Sequence, residues 1–180
     1  MGLKDLFRKK QEDDFDPLAD LTLSKLKVGY LVDYDLKTWE ITDYCVYDYG
    51  DGIRADEWEF TSGREISYLE RAEDDDVEWA FAKKMPIGAI DEDVKKSIID
   101  TEDPPNQITC KGKKYYLDES GAGKMRKEGQ VDAEFISWTF IDEQDENFVV
   151  IEQWGETEFE TAAGHYVEEY QFTNILPGQI

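Results

Sequence analysis

The sequence predicts a mainly β, antiparallel protein. It is built from two degenerate, related β-meander units, barrel-like or sandwich-like, in one compact body with a short helix between them. Three observations predict this class. Short segments rich in aromatic and β-branched residues recur from Leu26 onward, separated by Gly, Asp and Ser. A single helical stretch, "DEDVKKSIID" (Asp91 to Asp100), interrupts them and is followed by Pro104-Pro105. The aromatic anchors keep their order across the two halves: Trp39 with Tyr115, Trp58 with Trp138 and Trp79 with Phe159, with 21 residues from Trp58 to Trp79 and from Trp138 to Phe159.

Residues 1–20 read as a basic foot and linker. Lys4, Arg8, Lys9 and Lys10 stand against Asp5 in the first ten positions, and Leu3, Leu6 and Phe7 sit at helical spacing. "QEDDFDP" then reads as a linker ending at Pro17. Residues 21–103 form the first unit. Its strands are expected in "VGYLVDYD", "KTWEITDYCVYDYG", "ADEWEFTS", "REISYLERAE" and "VEWAFAKKM", with turns at Asp48 to Gly52 and Thr61 to Arg64, where Gly and Asp tolerate turn dihedrals. Val94, Ile98 and Ile90 would share the helix's buried face. Residues 104–180 form the second unit, with strands in "QITCKGKKYYLDE", "AEFISWTFIDE", "NFVVIEQWG", "ETEFETAAG" and "YVEEYQFTNI". The two aromatic faces are expected to pack together or side by side, with the six anchors in the core or interface.

Composition excludes several function classes. The 180 residues carry 20 basic and 43 acidic side chains, a net charge of −23, so direct binding to nucleic acid is not expected. The aromatic fraction of 13% supplies enough large apolar groups for a core, which excludes a disordered acidic tail. Cys45 and Cys110 are too few and too separated for a disulfide framework or a C-x-x-C site, and suit a reducing compartment. No apolar run approaches the length of a membrane span, and "MGLKDLFRKK" lacks the apolar core of a secretory signal, so a cytoplasmic protein is expected.

No catalytic, cofactor or metal constellation is legible. His165 is the only histidine, which removes histidine metal clusters and leaves a serine triad without a local signature; it is assigned to the polar turn "AAGHY" or the strand edge beside it. "SGAGKMRKEG" fails the phosphate-loop pattern, with Asp118 in place of the first Gly and Met125 after Lys124, and reads as a mobile basic loop. "EDDD" (Glu73 to Asp76) lacks Ca²⁺-loop spacing and reads as a solvated hairpin tip.

The segments "LSKLKVGYLVDYDLKTWEITDYCVYDYGDG", "EWEFTSGREISYLERAEDDDVEWAFAKKMPI", "ITCKGKKYYLDES" and "IEQWGETEFETAAGHYV" resemble the bacterial family called domain of unknown function 4178, from Leu23 to Pro177. Tyr30 departs from the acidic residue that the resemblance leads one to expect after the Gly. The family has no established activity and implies no active-site residues. Its members tend to be encoded beside envelope-stress, small membrane-protein and polyamine-related genes, which implies an accessory binding role near the membrane.

The expected function is therefore that of a non-enzymatic cytoplasmic binding or adaptor protein without cofactors, accessory to a membrane-associated or envelope-stress system. A protein partner and a weak peripheral membrane contact would be met through Leu3, Leu6, Phe7, Arg8 and Lys9, and through Lys124, Arg126 and Lys127. Two alternatives predict different geometry: a carboxylate site for a cationic molecule such as a polyamine needs acids converging in a concavity, and a nucleic-acid mimic needs them arrayed at phosphate-like spacing.

Overall fold

A computed structural model describes residues 21–73 and 76–178. Eleven strands form one antiparallel sheet: β1 (Leu31–Tyr34), β2 (Lys37–Gly50), β3 (Ile53–Ser62), β4 (Glu65–Glu73), β5 (Val77–Met85), β6 (Gln107–Cys110), β7 (Lys113–Arg126), β8 (Ala133–Ile141), β9 (Asn147–Gln153), β10 (Phe159–Val167) and β11 (Thr173–Leu176). Their order is β11-β1-β2-β3-β4-β5-β10-β9-β8-β7-β6, and β2 also pairs with β7. That extra pairing closes β2, β3, β4, β5, β10, β9, β8 and β7 into an eight-stranded barrel. The β-rich antiparallel class is as the sequence predicts, with both meanders contributing to this single barrel.

The turns follow local chemistry. Asp51-Gly52, Gly63 and Lys111-Gly112 take the positive φ that tight hairpins need. The turn after β8 is organised by Asp142, whose carboxylate is buried and accepts hydrogen bonds from the backbone N–H of Glu146 at 2.9 Å and the Asn147 amide at 2.6 Å, and pairs with Lys113 at 2.5 Å. The helix α1 (Val94–Thr101) starts three residues later than expected, because the Asp93 side chain caps it by accepting from the Lys96 N–H. Val94 and Ile98 are buried as expected. Ile90 is also buried, but through a β-bridge to Cys110 rather than on the helix.

Alternation along the strands assigns each side chain to one wall of the barrel. The outer wall is apolar. Trp39, Ile41, Trp58, Phe60, Leu69, Trp79 and Phe81 lie in a cluster covered by Leu23, Leu26, Val32, Tyr34 and Phe172. Tyr115, Trp138, Phe140, Val149 and Ile151 form a second cluster, covered by Ile90, Val94, Ile98 and Ile108, with Phe159 packed against it. The six aromatic anchors thus belong to these outer clusters. Their faces do not meet each other as expected: they point away from the barrel axis, each under its own cap. The first halves of the 14-residue strands β2 and β7 carry the caps, and their second halves close the barrel.

The register repeats between the halves. Trp58 pairs with Leu69 as Trp138 pairs with Ile151, and Val32 pairs with Trp39 as Ile108 pairs with Tyr115. The seams differ. β5 and β10 pair over seven positions, whereas β2 and β7 pair over three.

Candidate functional site: the acidic barrel interior

The inner wall is formed by the other strand face. Cys45, Tyr47 and Tyr49 on β2 alternate with outward Tyr44, Val46 and Asp48, and the β2–β3 register sets Cys45 opposite Glu57 and Tyr47 opposite Ala55. The β3–β4 register then sets Glu57 opposite Glu70. From the far side of the barrel, β9 contributes Glu152 to the same wall, opposite Ser137 on β8 and Glu160 on β10. Tyr47, Ala55 and Phe135 form a small interior cluster with Cys45, Tyr49, Ala72, Met125 and Trp154 packed against it. Tyr47 and Trp154, from opposite sides, approach to 6.4 Å between ring centroids.

Three glutamates therefore face one another inside a closed sheet. Like charges opposite each other on neighbouring strands repel, and low polarity strengthens the effect. Burial, followed by the charges of Glu70 and Glu152, pushes Glu57 up to about 8. Burial, with Glu78 and Glu119 adding to it, raises Glu70 to about 7. Glu152 is raised to about 7 by burial and by Glu70 and Glu160, against the opposing pull of Lys84. The Trp154 N–H also opposes that rise, although it stays outside hydrogen-bond geometry. Despite their depth, all three glutamates are only partly buried, so they border interior space rather than solid packing.

The neighbours of this cluster are hydrogen-bond donors. The Cys45 thiol lies 3.6 Å from Glu57 Oε1 and the Tyr47 hydroxyl 3.5 Å from the same atom. Burial and the Glu57 charge push the Cys45 thiol well above its ordinary value, so it stays protonated and unreactive in the closed barrel. Lys84 and Lys127 are cations on this wall, and both are already engaged: the Lys84 ammonium donates to Glu160 at 2.5 Å and lies 5.1 Å from the Tyr68 ring centroid, and Lys127 donates to Asp43. Among the described residues no group of three or more His, Cys, Asp or Glu has metal-binding geometry.

Sequence reasoning placed its candidate contacts elsewhere. Leu3, Leu6, Phe7, Arg8 and Lys9 lie outside the described residues. Lys124 and Arg126 are on β7, and Lys127 directly follows it; the expected mobile loop is a strand. Its glycines serve close approach. A Cβ at Gly123 would stand 2.5 Å from the Asp48 carbonyl oxygen, and one at Gly121 would touch the Tyr49 ring at 3.4 Å. All three basic residues are paired with the acidic body: Lys124 with Glu134 at 3.2 Å, Arg126 with Asp48 at 3.1 Å, and Lys127 with Asp43. His165 lies within β10 on the outer wall, not in a turn, and its Nε2 is 2.9 Å from the Tyr34 hydroxyl. "EDDD" lies at the β4–β5 hairpin, and two of its residues, 74 and 75, fall outside the described residues.

The interior glutamates were not singled out from sequence. The available signal was "WEF" and "YLE": a strand whose aromatic positions are buried on one face and whose intervening acids would normally face water. Only closure of the sheet turns that second face inward.

These features define a closed antiparallel barrel with apolar caps outside and carboxylates within. The chain belongs to the family described as domain of unknown function (DUF4178), whose model matches residues 27–169. An uncharacterized protein of Aquifex aeolicus (strain VF5) is 30% identical over 175 residues, covering 97% of this chain and 96% of the relative. No solved structure matches the chain. Among the described residues no helix is long and apolar enough to cross a membrane.

Proposed function

We propose that this protein is a non-enzymatic binding protein whose barrel interior receives a small cationic molecule of the diamine or polyamine class. The observation that carries the reading is the meeting of Glu57, Glu70 and Glu152 inside the barrel, with Lys84 already bonded to Glu160. A cation would relieve the repulsion that burial imposes on the three carboxylates. Tyr47, Tyr49 and Trp154 would supply aromatic faces for its methylene chain and ammonium groups. The lone histidine is on the other wall and the interior thiol is held protonated, which favours binding over catalysis.

The adaptor reading of the sequence is less well supported by Lys124, Arg126 and Lys127, whose charges are already matched by the acidic body. A cytoplasmic location, a protein partner and an accessory role near a bacterial membrane or envelope-stress system belong to the same proposal, and rest on residues 1–11 and the family resemblance. Isothermal titration with spermidine at pH 8 tests the ligand reading. Saturable one-to-one binding that disappears in Glu57→Gln/Glu70→Gln is expected. Weak, many-site binding that the double variant retains would reduce it to surface charge.

A further inference from the structure

We propose that the β2–β7 seam is a pH-controlled gate to the barrel interior. This inference goes beyond ligand binding and does not depend on it, since protons alone would drive the gate.

The seam is the weak side of the barrel. It holds through three residue pairs, Val46–Arg126, Tyr47–Met125 and Asp48–Lys124, against seven at the β5–β10 seam. Arg126 pairs with Asp48 across it on the outside, and Lys127 pairs with Asp43 across it on the inner-wall side, beside Cys45 and Glu59. Both pairs are partly exposed, so they add modestly to the seam and weaken with salt. On the inside, the β2 residues at and beside the seam are those nearest the acids: Tyr47 and Cys45 both reach Glu57. Negative charge accumulating beneath these neutral residues favours the entry of water, a push toward opening where three pairs hold the wall.

The other charged and titratable groups on the inner wall do not offset that push. β2 contributes Asp43, β3 Glu59, β4 Glu70 and Tyr68, β5 Glu78 and Lys84, β7 Asp118 and Glu119 with Lys127 just beyond it, β9 Glu152, and β10 Glu160 and Tyr166. The cations among these are Lys84 and Lys127, and their charges are bonded to Glu160 and Asp43. Tyr47, Tyr49 and Tyr166 are all raised above their ordinary values, chiefly by burial, and stay neutral. Titration near neutrality thus falls to the three central glutamates.

The direction follows from linkage. In the closed barrel Glu57, Glu70 and Glu152 hold protons up to about 8, 7 and 7, and an opened seam admits water and returns them toward 4.5. Opening therefore releases protons. It is opposed below about pH 4.5, becomes steadily easier as pH rises to about 8, and then levels off. Each released proton changes the opening constant by up to about tenfold per pH unit.

The two cysteines report on this motion in the unmodified chain. Cys45 is on the inner wall of β2 beside the seam, and Cys110 is buried under the second cap. Thiol labelling of the full chain at pH 6, 7 and 8, read by peptide mass spectrometry, is normalised at each pH to the unfolded chain. The gate predicts that normalised labelling of Cys45 rises at least tenfold from pH 6 to 8, while Cys110 stays at least tenfold better protected throughout. Glu57→Gln, a neutral side chain of nearly the same shape, is expected to lower that rise, with Glu70 and Glu152 supplying what remains. A pH-independent Cys45, or Cys45 and Cys110 labelling at equal normalised rates, would overturn the gate, the second outcome showing that exposure comes from global unfolding.

Discussion

Glu57 and Trp58 are neighbours in sequence and face opposite walls of the same strand. Trp58 is 2% exposed, its indole N–H donates to the Leu26 carbonyl at 3.1 Å, and its ring stacks on Trp79. Glu57 points the other way, toward Glu70. The outer wall carries the hydrophobic stabilisation, under two separate caps. The inner wall carries the strain. In a small barrel filled by apolar side chains both roles would fall on the interior; here they are separated, which leaves the inner wall free to hold charged groups whose state can change.

The contrast can be broken most forcefully from outside. Trp58→Ala or Trp138→Ala should each cost about 3–5 kcal/mol, measured by denaturant unfolding, because a large buried ring is lost from a cap. An unchanged midpoint for Trp58→Ala would show that the caps do not hold the sheet.

The strong seam comes next. A Cβ at Gly164 would lie 2.4 Å from the Phe81 carbonyl oxygen and 2.8 Å from the Ala82 Cα. Gly164→Ala should therefore cost about 1–3 kcal/mol through overpacking. Full stability would mean that β5 and β10 can separate freely.

On the inner wall the sign reverses. Glu57, Glu70 and Glu152 stand above the ordinary carboxyl value when folded, so the native chain holds protons that the unfolded chain gives up. Their contribution to stability is full below about pH 4.5 and declines as pH rises to about 8. Glu70→Gln should then stabilise the protein by roughly 1–2 kcal/mol at pH 8 and have little effect at pH 4.5. Equal effects at both values would show that burial does not hold the Glu70 proton in the folded chain. The smallest change is expected at the surface: Lys124→Ala should alter stability by less than about 1 kcal/mol, since both it and Glu134 are solvent-exposed.

Much of the outer wall was legible in the sequence. Alternating Trp39 and Ile41, the Trp58 and Trp138 segments, and Val94 with Ile98 announce burial by their spacing. The hairpins at Asp51-Gly52 and Lys111-Gly112 were marked by turn chemistry. The interior was not legible, because "EWE" and "LER" look the same whether the polar face meets water or another sheet. Closure depends on the β2–β7 and β5–β10 pairings, which join residues about 80 positions apart and leave no local signature. Glycines were also ambiguous: Gly121 and Gly123 suggested a mobile loop, whereas they allow two backbones to cross closely. The basic residues beside them were read as available to a partner, although the fold gives each an acidic mate: Asp43 and Asp48 across the seam and Glu134 on the next strand.

The placement of β11 has a consequence for biosynthesis. The second cap is made by α1 and β6, which directly precede the strands they cover, so its core can be buried as soon as β10 leaves the ribosome. The first cap needs Val167 and Phe172, and β11 pairs with β1. The half of the protein made first must therefore wait, with Trp39, Trp58 and Phe60 incompletely covered, until Val167, Phe172 and β11 have been translated.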